Sequence, residues 1–198
     1  MSKGDQTRAR ILRHAARVAS RDGLEGLSIG ELASALQMSK SGLFAHFGSK
    51  EELQIEVLQA AAVDFEEKVV RPALKAPRGP ARLRALCEAW LRWASSPDIP
   101  GGCIFAGASF EMDDRPGPVR DYVAEQQRQL LGVLSRSARL GVEAGLLRPD
   151  LDCDLLAFQL LGLMLGFHHA RRLLRSRNAE AMARKSLDQL LAQAMPAH

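Results

Sequence analysis

Apolar residues recur at helical spacing along nearly the whole chain, and alternating strand-like runs are almost absent. Near the N-terminus Ile11, Leu12, Ala15, Val18 and Ala19 fall on one face, which predicts a helix from about Asp5 to Asp22 that Gly23 ends. In LSIGELASALQ, Ser28 followed three residues later by Glu31 has the spacing of a capping box, so a short helix should start at Ile29 and bury Leu32 and Leu36. Gln37-Met38 then forms a tight turn, and Ser39 caps a further short helix that stops near Phe47-Gly48. Ser49 to Glu52 repeats the box and opens a long helix from Lys50 to about Val70.

Pro72, Pro77, Gly79 and Pro80 break the pattern over 71–80. Five more helices are predicted beyond, roughly at 81–95, 103–112, 118–145, 153–174 and 178–194, with prolines between most of them. The expected fold class is all-α. Two short helices joined by a tight turn and preceded by a basic helix make a three-helix unit over 1–48, with the helix-turn-helix pair at about 28–47. The long fourth helix, 49–70, joins it to a larger body over 71–198.

The second helix of that pair carries the chemistry. Leu43 and Phe47, four apart, point inward, which leaves Lys40, Ser41 and Phe44 on the outward face with Ala45 beside them. Lys40 offers a donor to phosphate or guanine, and Ser41 can donate or accept at a base edge. Gly42 lets the backbone come close to a duplex, and Phe44 and Ala45 suit a thymine methyl. His46 and Lys50 reach towards phosphates, where the N-terminus of the fourth helix adds N–H groups and a favourable dipole. Charge supports a polyanion partner: residues 1–50 hold eight Lys/Arg against four Asp/Glu, so the whole net +4 lies there. Arg8, Arg10, Arg13, Arg17 and Arg21 read mainly as a solvated face, and Arg171, Arg172, Arg175 and Arg177 as cations at a helix C-terminus.

Residues 7–60 resemble the N-terminal domain of the TetR family of transcriptional regulators through the run TRARILRHAARVASRDGLEGLSIGELASALQMSKSGLFAHFGSKEELQIEVL (7–58), most specifically in the SKxxLFxHFxSKEEL core from Ser39 to Leu53. The resemblance implies about nine helices, a homodimer, a DNA-binding head and a ligand-binding and dimerisation body. Carried over by position, the residues touching DNA are Lys40, Ser41, Gly42, Phe44, Ala45, His46 and Lys50, and Ser28 joins them at the start of the first helix of the pair. Gly42 stands where a Thr is frequent and Phe44 where a Tyr is frequent, each removing one hydroxyl contact. Members usually repress genes and leave a palindromic operator when a small molecule fills the body.

The body carries less specific signals. Trp90, Trp93, Phe105, Phe110, Phe158, Met164, Phe167 and His168 are large residues that suit a plain core, or together with Gln126 an apolar effector pocket. Cys103, after Pro100-Gly101-Gly102, is expected in the first turn of a helix, where the dipole favours thiolate; the alternative to a redox- or electrophile-sensing regulator is a small buried residue. Gly162 and Gly166, one turn apart on a very apolar helix, allow close helix contact, and with Leu187, Leu190 and Leu191 of the last helix they suggest a dimer interface. The chain shows no phosphate-binding Gly loop, nucleophile elbow or metal-ligand spacing, so no cofactor, metal site or catalytic residue is expected. A helical small-molecule-binding protein or enzyme with an incidental basic head is the rival of another class. Three widely spaced cysteines, no apolar run after MSKGDQTR, and an apolar stretch at Leu155–Phe167 too short for a bilayer predict a reduced, cytoplasmic protein.

Overall fold

The computed structural model describes residues 3–196, and among them there are helices and no strand. The helices are α1 Lys3–Asp22, α2 Ile29–Ala35, α3 Lys40–Phe47, α4 Lys50–Phe65, α5 Pro80–Ala94, α6 Ile104–Glu111, α7 Pro118–Glu143, α8 Cys153–Arg172 and α9 Ala179–Ala194. Helix α4 runs on through a π-helical segment, Glu66–Val70, and a last turn, Arg71–Ala73, so with that continuation counted in α4 the described residues form nine helices.

The helix starts follow from side chains already in the sequence. Ser28, Ser39 and Asp152 take extended backbone angles, and their side-chain oxygens accept from the N–H of Glu31, of Gly42, and of Asp154 and Leu155 respectively. Ser49 Oγ accepts from Glu52 N–H at 3.0 Å. Pro80 and Pro118 open α5 and α7, where a missing N–H costs nothing. The stops are equally local: Gly23 (φ +82°) follows α1, and Gly48 (φ +68°) ends α3 with its N–H on the carbonyl of Phe44. Gln37 takes a positive φ of 56° in the tight turn between α2 and α3.

Two expectations change. The fourth helix does not end at Val70: the N–H of Arg71 bonds back five residues to Glu66, and helical backbone continues to Ala73. Pro72 accounts for this, since its ring crowds the carbonyl four residues back and the wider π turn makes room. The second change concerns α8, which at 20 residues is longer than the apolar run inside it and is long and apolar enough by composition to cross a membrane. One face of α8 nevertheless packs in the protein: Leu156, Leu160, Met164 and Phe167 are buried, and the helix lies against α5 and α9.

The chain folds as two compact units, the first from residues 1–64 and 96–126, the second from 65–95 and 127–198. In the first, Ile11, Ala15 and Ala19 of α1 meet a core completed by Leu24, Leu27, Leu32, Leu43, Phe47, Leu53 and Val57. In the second, Leu83, Leu86 and Trp90 of α5 share a core with Leu134, Ala138, Leu160, Met164, Leu187 and Leu191. The tail of α9 is tied down there by the N–H of Arg148, which donates to the carbonyl of Ala194 at 2.9 Å.

Candidate DNA-binding face

Helix α3 is two turns long, and its two sides differ sharply. Leu43 and Phe47 are buried, while Lys40, Ser41, Phe44 and Ala45 are exposed, Phe44 at 49%. Half of a phenylalanine surface left in water is the unusual feature of this helix. Lys40 makes no ion pair or hydrogen bond among the described residues, so its charge is available. Its stem lies over Gly30 of α2: a Cβ there would sit 3.1 Å from Lys40 Cε and 3.8 Å from Ser28 Oγ. Gly30 therefore lets Lys40 and the Ser28 cap share one surface across both helices of the pair. Sequence reading missed it, because an interior glycine in a short helix carries no signal of what lies over it.

A Cβ on Gly42 would approach Ser39 Oγ to 2.9 Å, the same hydroxyl that caps α3. That hydroxyl would have to turn slightly to admit a side chain at 42, as the caps of Ser28 and Ser49 admit Glu31 and Glu52, so the glycine serves chiefly to leave the outer surface open.

Other sequence-predicted residues are tied into the head itself. Arg8, expected on a solvated face, pairs with Glu56, donates to the carbonyl of His46 at 2.6 Å, and lies over the Phe47 ring at 5.0 Å. His46 is half-buried, and Arg8 fixes its backbone. Lys50 was expected to face phosphates. Its ammonium donates to the Glu25 carbonyl at 2.8 Å and the Glu25 carboxylate at 3.2 Å, so its charge is matched within the head. The Glu25 carboxyl is held below its usual range, first by the hydrogen bond from Gln54 and then by Lys50.

The turn from α1 into α2 is closed by residues remote in sequence. The carboxylate of Glu111, last residue of α6, accepts from the N–H of Leu24 at 2.8 Å and of Glu25 at 2.7 Å. Gln54 Nε2 donates to the carbonyl of Leu24 at 2.9 Å from a buried position. Just before α6, Gly101 N–H donates to Ser20 Oγ at 3.2 Å, and Arg17 reaches the carbonyls of Pro97 and Asp98 at 3.4 and 3.3 Å.

The residues expected to line an effector pocket divide between the two units. In the second, the Trp90 ring meets Phe167 edge-on at 6.1 Å, Trp93 meets Phe65 at 5.1 Å, and Met164 is wholly buried. His168 is half-buried, and burial lowers its pKa, assisted by the positive charges of Arg172 and His169. Phe158 departs from the expectation: it is 68% exposed, at the edge of an open groove of ≈ 560 Å³ between α7 and α8 that also holds Arg136, Arg139 and Asp154. In the first unit, Phe105 is buried and Gln126 half-buried, whereas Phe110 is 67% exposed.

Cys103 is the N-cap of α6 rather than part of its first turn, and its sulfur accepts from Ala106 N–H at 3.4 Å. All three cysteines are buried and unpaired with one another, and burial pushes the Cys87 thiol up to about 12. Cys103 in the folded protein is expected to alkylate no faster than Cys153; a rate near that of a free thiol would revive a sensing role for it.

Of the residues expected at a dimer interface, Leu187 and Leu191 lie in the core of their own chain, against its α5 and α8, and cannot face a partner; Leu190 is half-buried. Gly162 and Gly166 lie on the open side of α8, where a Cβ would meet nothing within 4 Å. Leu155, Phe158 and His169 continue the same exposed stripe at helical spacing.

A basic three-helix head with a capped, half-exposed recognition helix, followed by six further helices among the described residues, defines a helix-turn-helix DNA-binding protein. Residues 11–57 match the family model of the bacterial regulatory proteins of the tetR family, and residues 79–187 match that of the tetracyclin repressor-like C-terminal domain. The chain belongs to the TetR family of transcriptional regulators. It is similar over 98% of both chains to a TetR transcriptional regulator from Chloroflexus aurantiacus J-10-FL, with 25% identity and a TM-score of 0.90. A TetR-family regulator from Cytophaga hutchinsonii aligns with 22% identity and a TM-score of 0.86, covering 100% of this chain and 99% of that one. The fold is also that of AibR in complex with isovaleryl coenzyme A and operator DNA: 24% identity, TM-score 0.73, coverage 96% and 98%. No curated protein sequence matches significantly.

Proposed function

We propose that this regulator is a repressor: a homodimer that reads a palindromic operator through α3 and is released when a small molecule binds its body. The observation that carries the DNA-binding part is the outer face of α3, with Phe44 half-exposed and Lys40 unpaired among the described residues, above a core of Leu43 and Phe47. Two such faces related by a two-fold axis would enter successive major grooves about 34–36 Å apart. A similar fold caught with both an acyl-coenzyme A and operator DNA supports the two-site arrangement. A coupling of about 1–3 kcal/mol between the sites would weaken operator binding from about five- to a hundred-fold. The protein would work in the cytoplasm, where its operator is.

Selection of random duplexes at physiological salt tests this reading. A two-fold symmetric motif is the expected result, and absence of any enriched sequence would remove the sequence-specific function. On the selected duplex, Lys40→Ala should flatten the dependence of log K on log salt by about one unit, because its charge meets no carboxylate among the described residues. Lys50→Ala should flatten it by less, since Glu25 already neutralises that ammonium.

The dimer face proposed here is the outward stripe of α8, with Gly162 and Gly166 at its centre. Phe158→Asp should shift the protein from dimer towards monomer in sedimentation with little change in helix content. Unaltered sedimentation would move the interface elsewhere.

A further inference from the structure

The turn between α1 and α2 is a stretch of backbone whose polar groups helices cannot satisfy, and three side chains satisfy them instead. Lys50 and Gln54 of α4 take the carbonyls of Glu25 and Leu24. Both N–H groups go to one carboxylate, Glu111, 87 and 86 residues further along the chain. The site for that carboxylate is built: Gly23 has φ +82°, and a Cβ on it would lie 2.9 Å from both Glu111 oxygens. The approach of this segment to α1 is fixed at its other end too, where a Cβ on Gly101 would fall 1.4 Å from the Ser20 carbonyl oxygen. From the same turn, Glu25 holds Lys50, and Arg115, four residues beyond Glu111, lies 3.6 Å from the Glu25 carboxylate.

We propose that Glu111 is a positioning residue for DNA recognition. Its carboxylate fixes the entry into α2, and with it the Ser28 cap and the Glu25–Lys50 pair, so that operator affinity depends on where the C-terminal end of α6 stands. A small withdrawal of α6 strips two amides of their acceptor at once and loosens the DNA-contact surface without touching it. This rests on the DNA-binding reading above, which supplies the function being positioned.

The test uses the full-length protein and Glu111→Gln, which keeps shape but offers one acceptor in place of two and no charge. Hydrogen exchange at the Leu24 and Glu25 amides should accelerate about tenfold. Affinity for the selected duplex should fall about five- to tenfold, affinity for random duplex should change less than about twofold, and the salt slope should stay as in wild type, because Glu111 meets no phosphate. Should Glu111→Gln fail to fold, Glu111→Asp, which keeps the charge but is one methylene too short for both amides, is read the same way. Unchanged exchange overturns the proposal, as does faster exchange with unchanged operator affinity. So does an equal loss on selected and random duplex, which would mark general destabilisation. A wild-type protein that enriches no duplex sinks the DNA-binding reading itself, whereas normal enrichment with an indifferent variant sinks this proposal alone.

Discussion

Gly101→Ala is expected to lower the thermal midpoint by about 10 °C, from a loss of roughly 3 kcal/mol. The new methyl would stand 1.4 Å from the Ser20 carbonyl oxygen, 1.9 Å from its carbon and 2.4 Å from the Arg21 nitrogen. These are backbone atoms in the last turn of a helix, so no rotamer change relieves the contact. The segment before α6 must move off α1. It then loses the Gly101–Ser20 hydrogen bond and strains the Arg17 contacts to the carbonyls of Pro97 and Asp98. Gly107, inside α6 and with nothing within 4 Å of its would-be Cβ, is the control: Gly107→Ala should stabilise by about 0.5–1 kcal/mol through helix propensity. Thermal or denaturant unfolding of both variants measures the contrast. A Gly101→Ala protein as stable as wild type would mean that the segment does not sit against α1.

The second large effect separates two phenylalanines three residues apart. Phe47→Ala should cost about 3–5 kcal/mol, because the ring is buried among the residues of the head and carries the Arg8 guanidinium at 5.0 Å. Without the ring, Arg8 keeps Glu56 and the His46 carbonyl but has lost the surface it lies on. Phe44→Ala should leave stability within about 0.5 kcal/mol of wild type, since half of that side chain already faces water. Its effect belongs to operator affinity, which should fall. Unfolding curves read beside titrations of the selected duplex give both answers. Equal stability losses at the two positions would contradict the inward and outward sides of α3.

Most helix boundaries could be read from the sequence because their causes are local. Ser28, Ser39 and Ser49 cap within three residues, Pro80 and Pro118 open helices, and Gly23 and Gly48 close them. The inner and outer sides of α3 were legible for the same reason: Leu43 and Phe47 are its only buried side chains. What stayed hidden depends on distance along the chain or on a helix that is apolar on every side. Nothing near Glu111 announces that it will accept from Leu24 and Glu25, and nothing near Lys50 marks Glu25 as its partner. Helix α8 carries Leu156, Leu160 and Met164 on one side and Leu155 and Phe158 on the other, so periodicity cannot say which side the chain keeps for itself. Helix α9 poses a different problem: Leu187 and Leu191 lie on its one apolar face, and periodicity does not say whether that face meets its own chain or a second one.

The first compact unit is discontinuous, made from residues 1–64 and 96–126. This bears on recombination between relatives. A hybrid regulator joined by a single crossover after α4 would bring a foreign α6 to a head that needs Glu111 on its Leu24 and Glu25 amides and a bare Gly101 on its Ser20 carbonyl. Moving the first unit whole therefore calls for three crossovers, with residues 96–126 travelling with the head. Single-crossover hybrids should survive mainly where the donor of the body supplies an acid and a glycine at these two places.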